Sequence, residues 1–189
     1  MSSKTINHGN GAQAWGKIQL YTGKGKGKTT AALGTALRAH AQGKKVAFVY
    51  FDKGGNHYSE AKILDDLGIE YHRTGLDRIH PETGKFRFGV KDEDRAEGKR
   101  GLEKVDELIR RGDLDLLVLD EINISTSLGI LEERDVLSII GQKPEQLEII
   151  MTGRDAPQSF LDKADLVTEM SLVKHYFYEG SPAREGLDY

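Results

Sequence analysis

The segment Gly23-Lys24-Gly25-Lys26-Gly27-Lys28-Thr29-Thr30 directly follows the apolar run Ile18-Gln19-Leu20-Tyr21 and opens a helix-forming stretch. A strand, a glycine-rich turn and a helix in this order narrow the chain to α/β folds that hold an anion at a helix start. The three alternate glycines allow positive φ angles, so that successive amide N–H groups converge on one centre. Lys28 can reach phosphate oxygens there and Thr29 a metal, which makes a nucleoside triphosphate the implied guest. The common spacing requires a glycine five residues before Gly27; this chain has Thr22 there and Gly23 one place later, a P-loop of variant shape. A cation near the positive end of a helix is disfavoured unless an anion neutralises it, which favours a ligand-binding role for Lys28. Lys24, Lys26 and Thr30 belong to the same loop and are candidate phosphate contacts.

The rest of the chain repeats the β-then-α alternation. Thr29 to Gln42 carries Ala32, Leu33, Ala36, Leu37 and Ala39 at helical spacing and stops at Gly43. Strands are expected at Val46 to Phe51, Ile69 to His72, Leu114 to Asp120, Leu147 to Met151 and Leu166 to Met170. Helices are expected at Ser59 to Leu67, Asp92 to Arg111, Leu131 to Ile140 and Gln158 to Ala164. Near-continuous apolar strands joined by helices imply a mainly parallel sheet covered on both faces. From Gly75 to Val90 no period survives, and so long a connection in a compact domain marks a substrate loop.

The chain's 189 residues suit one domain, read as residues 17–189, preceded by a polar, flexible arm over residues 1–16 whose end Trp15 would pin. A net charge of −3 with dispersed basic residues lacks the footprint of a duplex-binding protein, so nucleic acid is not an expected partner. With no cysteine, disulfides, thiolate zinc sites and a cysteine nucleophile are excluded. No apolar run approaches the roughly 20 residues of a membrane span and the start is not that of a secreted protein, so no membrane is expected and the cytoplasm is the expected location.

A second acidic element, Leu116-Leu117-Val118-Leu119-Asp120-Glu121, places two carboxylates at the carboxyl end of a strand, where P-loop proteins hold magnesium. Ligands of parallel sheets bind beyond the carboxyl ends of strands, so these acids and the glycine loop should face one crevice. Arg154, just past the strand ending at Met151, could clamp phosphate there, or else form a surface pair with Asp155 or Asp162. His72 and His80 match no ligand spacing and read as solvent-facing. Lys85-Phe86-Arg87-Phe88 reads as a hairpin or lid rather than a single-strand binder.

Taken in order, Tyr21 to Gly34, Leu117-Val118-Leu119-Asp120-Glu121, Met151-Thr152-Gly153-Arg154, Val173-Lys174-His175 and Gly186-Leu187-Asp188-Tyr189 resemble one family, the P-loop ATP:corrinoid adenosyltransferases. The resemblance runs from about Ile18 to the end. It implies a RecA-like P-loop fold, a homodimer and a flavoprotein reductant. It also implies transfer of the 5′-deoxyadenosyl group of ATP to the reduced cobalt of a corrinoid, with release of triphosphate. By the same resemblance Thr29, Asp120 and Glu121 look like Mg²⁺ ligands, and Lys28 and Arg154 like groups that steady the triphosphate. In the family, Phe and Trp soon after a Thr-Gly displace the corrinoid's lower ligand. Aligned on Thr74-Gly75, this chain has Leu76 and Arg78 instead, with Phe86 or Phe88 as candidate replacements, and its arm is shorter than the family's. Two other readings use the same loop: an ATPase or switch that splits the terminal phosphate to act on a partner, and a nucleotide-dependent corrinoid carrier without catalysis.

Overall fold

The structure is a computed structural model and describes residues 15–55, 58–78 and 87–188. The expected arm therefore lies outside the described residues except for Trp15 and Gly16. Six strands form one sheet: β1 (Ile18–Thr22), β2 (Val46–Tyr50), β3 (Glu70–Arg73), β4 (Leu116–Asp120), β5 (Glu148–Thr152) and β6 (Leu166–Glu169). Their spatial order is β3-β2-β4-β5-β1-β6 and every pairing is parallel. The helices are α1 (Lys28–Ala41), α2 (Glu60–Leu67), α3 (Asp92–Arg111), α4 (Ile122–Ser127), α5 (Glu133–Ile140) and α6 (Gln158–Lys163), and a 3₁₀ turn spans Tyr176–Glu179.

Period-2 alternation explains how strands that read as uniformly apolar serve two cores. Leu117 and Leu119 of β4, with Val49 of β2 and Ile149 and Met151 of β5, face α3, α5 and α6. Leu116 and Val118, with Phe48, Tyr50 and Ile150, face the opposite way, toward Ala32 and Ala36 of α1 and Leu64 of α2. Burying one such large side chain is worth about 1.5–3 kcal/mol, so the central strands rather than the loops anchor the carboxyl edge of the sheet. Trp15 packs on the α1 side, its ring 5.0 Å from Lys44 Nζ.

Two features depart from expectation. Strand β6 was read as covered on both faces, but it lies at the sheet edge with Leu166 and Val167 45% and 46% exposed. Helix α4 was not anticipated, because Ile-Asn-Ile-Ser-Thr-Ser is short and rich in β-branched and small polar residues with poor helix propensity. Tertiary contacts override that preference: Ile122, Asn123, Ser125 and Thr126 are buried, and Asn123 Nδ2 donates to the Tyr21 and Gly153 carbonyls, tying β1 to β5. Among the described residues, no helix is long and apolar enough to cross a membrane.

Candidate active site

The variant loop follows from where β1 ends. Thr22 is still a strand residue, paired with Glu169 of β6, so the chain turns one place later than in the common motif, at Gly23. Gly23 and Gly27 take φ values of 91° and 113°, a region that side chains rarely adopt. Gly25 corrects the sequence reading: it is not at positive φ, and its N–H donates to Met170 O (2.7 Å) rather than pointing at the loop centre. It is needed for space, since a Cβ there would lie 2.7 Å from both the Met170 and Ser171 carbonyl oxygens. Gly27 caps α1 and accepts from Ala31 N–H (2.8 Å).

Lys28, the first residue of α1, folds back over the loop and donates to Gly23 O and Gly25 O, both at 2.8 Å. Burial pulls its ammonium pKa below the usual lysine value, Glu121 opposes that shift and Arg154 adds to it. Thr29 Oγ1 donates to Asp120 Oδ2 (3.3 Å). Asp120 ends β4, is fully buried, and accepts from Thr152 Oγ1 (2.6 Å) on its other oxygen. The same hydroxyl accepts from Glu121 N–H (3.0 Å), so the end of β5 orients both acids. Glu121 sits at φ 61°, an uncommon conformation for a side-chain-bearing residue and one that concentrates at functional sites. Burial and the neighbouring Asp120 push its carboxyl pKa up, and no described group donates a hydrogen bond to it.

These groups border two adjoining cavities. One, of about 280 Å³, is lined by Gly25 to Thr30, Glu121, Arg154 and the tail residues His175, Tyr176 and Asp188. The other, of about 470 Å³, is lined by Thr29, Thr30, Lys53, Tyr58, Glu60, Glu121 and Asp188. They share Thr29, Thr30, Glu121, Leu187 and Asp188 and form one cleft of the size small-molecule sites require. A further cavity of about 500 Å³, between Trp15, Arg38, Lys44 and Glu148, lies at the amino end of the sheet, away from the loop.

The structure therefore brings Lys28, Thr29, Thr30, Asp120, Glu121 and Arg154 to one cleft. Arg154 is exposed at its mouth, and among the described residues neither Asp155 nor Asp162 pairs with it; Asp162 accepts from Gln158 Nε2 instead (2.8 Å). Lys26 is exposed at the rim of the smaller cavity, its ammonium held by Asp188 and by Tyr176 Oη (3.1 Å). Lys24 is exposed and lines neither cavity. The donor set fits Mg²⁺: one hydroxyl and two carboxylates is the sparse protein share expected of a metal that takes its other ligands from water and substrate phosphate. No group of three or more His, Cys, Asp and Glu suited to a metal occurs among the described residues, so the chain builds no self-sufficient cage there.

Two further groups belong to the site and escaped sequence reasoning. Lys53, just past β2, places Nζ 2.6 Å from Asp120 Oδ2 and 3.5 Å from Thr29 Oγ1. Burial alone would lower its pKa, but Asp120, Glu121 and Glu60 outweigh that and raise it. A signal was present: Asp52-Lys53 follow an apolar strand as Asp120-Glu121 do. The second is the tail, where Asp188 also accepts from Tyr176 Oη and from Arg184 Nε (3.2 Å) and roofs both cavities.

The connection over residues 75–90, expected to serve as a substrate loop, is described only at its base, and His80 and Phe86 lie outside the described residues. Arg78, aligned with a family aromatic, turns inward: Nε donates to Asp52 Oδ1 (2.8 Å) and Nη1 to Gly89 O (3.0 Å). Arg87 forks onto Asp94 at 2.6 and 2.9 Å, and its N–H donates to Arg78 O (2.7 Å), so two arginines clamp the loop's ends. Leu76 and Phe88 are 36% and 86% exposed. His72 is half-buried with Nε2 2.9 Å from Glu70 Oε1, rather than solvent-facing.

Comparison with known proteins gives the chain's relatives. Residues 14–189 match the family described as ATP:corrinoid adenosyltransferase BtuR/CobO/CobP. The chain is 35% identical over 176 residues to the corrinoid adenosyltransferase of Escherichia coli (strain K12), with 92% of this chain and 86% of that protein covered. It is 37% identical over 183 residues to the corrinoid adenosyltransferase CobA of Salmonella typhimurium (strain LT2), at the same coverages.

Proposed function

This chain belongs to the ATP:corrinoid adenosyltransferase family, and from that premise we propose that its glycine-loop cleft binds ATP and directs the 5′ carbon of the ribose toward a reduced corrinoid. One observation carries the reading: Lys28, Thr29, Asp120, Glu121 and Arg154, far apart in sequence, line or adjoin a single cleft at the carboxyl edge of a parallel sheet. In the step, the lone pair of Co(I) attacks C5′ of ATP. The cobalt–carbon bond forms, the C5′–O5′ bond breaks with its electron pair leaving on triphosphate, and cobalt passes formally from Co(I) to Co(III). No side-chain base is needed, because the nucleophile carries no proton to remove.

The protein's tasks are to align the reactants and to stabilise the negative charge that grows on the leaving group. Lys28, already dry and partly stripped of its ordinary basicity, leaves the Gly23 and Gly25 carbonyls for phosphate oxygens, which are stronger acceptors. Arg154, without an acid of its own at the cleft mouth, forks onto the same anion. Thr29, Asp120 and Glu121 would hold Mg²⁺, which supplies further charge withdrawal from the triphosphate. A homodimer and a flavoprotein electron donor complete the reading on the family resemblance alone, as does a location in the cytoplasm.

Incubating the protein with Mg-ATP and chemically reduced corrinoid tests it. The visible spectrum should develop the bands of an alkyl-cobalt product while triphosphate is liberated in equal amount. ADP and inorganic phosphate with no change at cobalt would establish the ATPase or switch reading instead, and tight corrinoid binding without product would establish the carrier.

A further inference from the structure

The ammonium of Lys53 stands where the metal's protein ligands converge. Its Nζ is 2.6 Å from Asp120 Oδ2 and 3.5 Å from Thr29 Oγ1, oxygens that are themselves 3.3 Å apart. A Mg²⁺ ion bonded to both at about 2.1 Å would lie within about 4 Å of that nitrogen wherever it sits around the two oxygens, close enough for strong repulsion. Lys53 and the metal therefore compete for Asp120. The acids need a cation in either state, since Asp120 is fully buried and an unpaired buried carboxylate is strongly disfavoured. From the same position Nζ has a second acid within reach: Glu60 Oε1 lies 3.7 Å away, the Tyr50 and Tyr58 rings flank Nζ at 5.3 and 5.0 Å to their centroids, and Glu60 and Tyr58 line the larger cavity.

We propose that Lys53 is a resident counterion that fills the metal position of the nucleotide-free enzyme and yields it only to metal carried by nucleotide, moving toward Glu60 and the incoming phosphate oxygens. The inference rests on the reading of the cleft as a metal–nucleotide site. Its consequence is ordered loading: free divalent metal must evict a tethered cation, whereas metal–nucleotide brings the anion that receives it. The enzyme thus avoids holding metal without substrate.

Mn²⁺ replaces Mg²⁺ as a paramagnetic probe, and its binding to the full chain is titrated by electron spin resonance, alone and with a non-transferable ATP analogue. Lys53→Met removes the charge, Lys53→Gln removes it while keeping a hydrogen-bond donor for Asp120, and Lys53→Arg keeps a cation. Both neutral variants should bind Mn²⁺ alone at least about tenfold more tightly than wild type, and Lys53→Arg should bind it as weakly as wild type. Equal binding of Mn²⁺ alone by wild type and both neutral variants, with normal binding alongside the analogue, overturns the inference and leaves the cleft assignment intact. Failure of every form to bind Mn²⁺ with the analogue overturns both.

Discussion

The floor and the rim of the cleft each contain a lysine paired to an aspartate, and the two pairs are physically unlike. On the floor, the side chains of Lys53 and Asp120 are 12% and 1% exposed and are positioned by neighbouring strands of the sheet. At the rim, those of Lys26 and Asp188 are 43% and 12% exposed, and the aspartate hangs on the tail beyond β6. Water screens the rim pair and costs it little to open, while the floor pair cannot lose one partner without stranding a charge in a dry place. Charge on the floor thus sets chemistry and stability, and charge at the rim sets access.

This contrast can be broken by experiment. The largest effect should come from Lys28→Ala, which removes the buried phosphate donor: transfer should fall on the order of 10²-fold or more in an alkyl-cobalt assay, with the circular dichroism spectrum unchanged. Wild-type-like transfer would end the assignment of the loop. Asp120→Ala should lower the unfolding free energy by about 3 kcal/mol in a denaturant titration, because it leaves the buried Lys53 ammonium with only the more distant Glu60 (3.7 Å). An unaltered midpoint would mean that the floor is as solvated as the rim. Arg154→Ala should reduce transfer by roughly 10-fold and leave stability unchanged, since Arg154 is exposed and pairs with no described acid.

The clamp at the base of the connection over residues 75–90 lies between these extremes. Asp94 is buried beneath the half-exposed Arg87, and hydrogen bonds from Arg87, with Lys91 N–H adding its own, hold its pKa down at about 2. A carboxyl depressed in the folded state contributes stability above its unfolded value of about 3.9, and that contribution disappears as pH falls through about 2. Asp94→Asn should therefore cost about 1 kcal/mol at neutral pH and flatten the acid arm of the stability profile between about pH 4 and 2. A wild-type acid arm in that variant would show that the clamp is not electrostatic. The smallest effect belongs to the rim: Asp188→Asn should change ATP affinity by less than about fivefold, and by less still in high salt. A larger, salt-insensitive change would make the tail part of the floor.

Much of the architecture was legible in the chain. The order of strands and helices followed from apolar runs punctuated by glycine, and Asp120-Glu121 could be placed beside the glycine loop because ligands gather beyond the carboxyl ends of parallel strands. Helix boundaries came within a few residues where the helical period was clear, as in α3, which spans Asp92–Arg111 as expected. Legibility failed where a role depends on a contact between distant segments. Gly25 was read as a positive-φ position that aims its amide at the loop centre, yet its smallness matters because Met170 and Ser171 arrive from β6. Arg78 was read only as the residue that stands where the family has an aromatic, and it is Asp52 and Gly89 that draw it inward. For Lys53 the end of an apolar strand marked a place near the cleft, but not its partner 67 residues away.

The sequence by itself determined a parallel α/β sheet with a glycine-rich strand-to-helix turn, because backbone conformation and hydrophobic periodicity are local properties that neighbouring residues enforce. Which charges neutralise one another was decided only in three dimensions. Coulomb energy depends on separation and on the water between groups, and neither is written in the order of residues until the strands have brought Lys53 to Asp120 and the tail to Lys26.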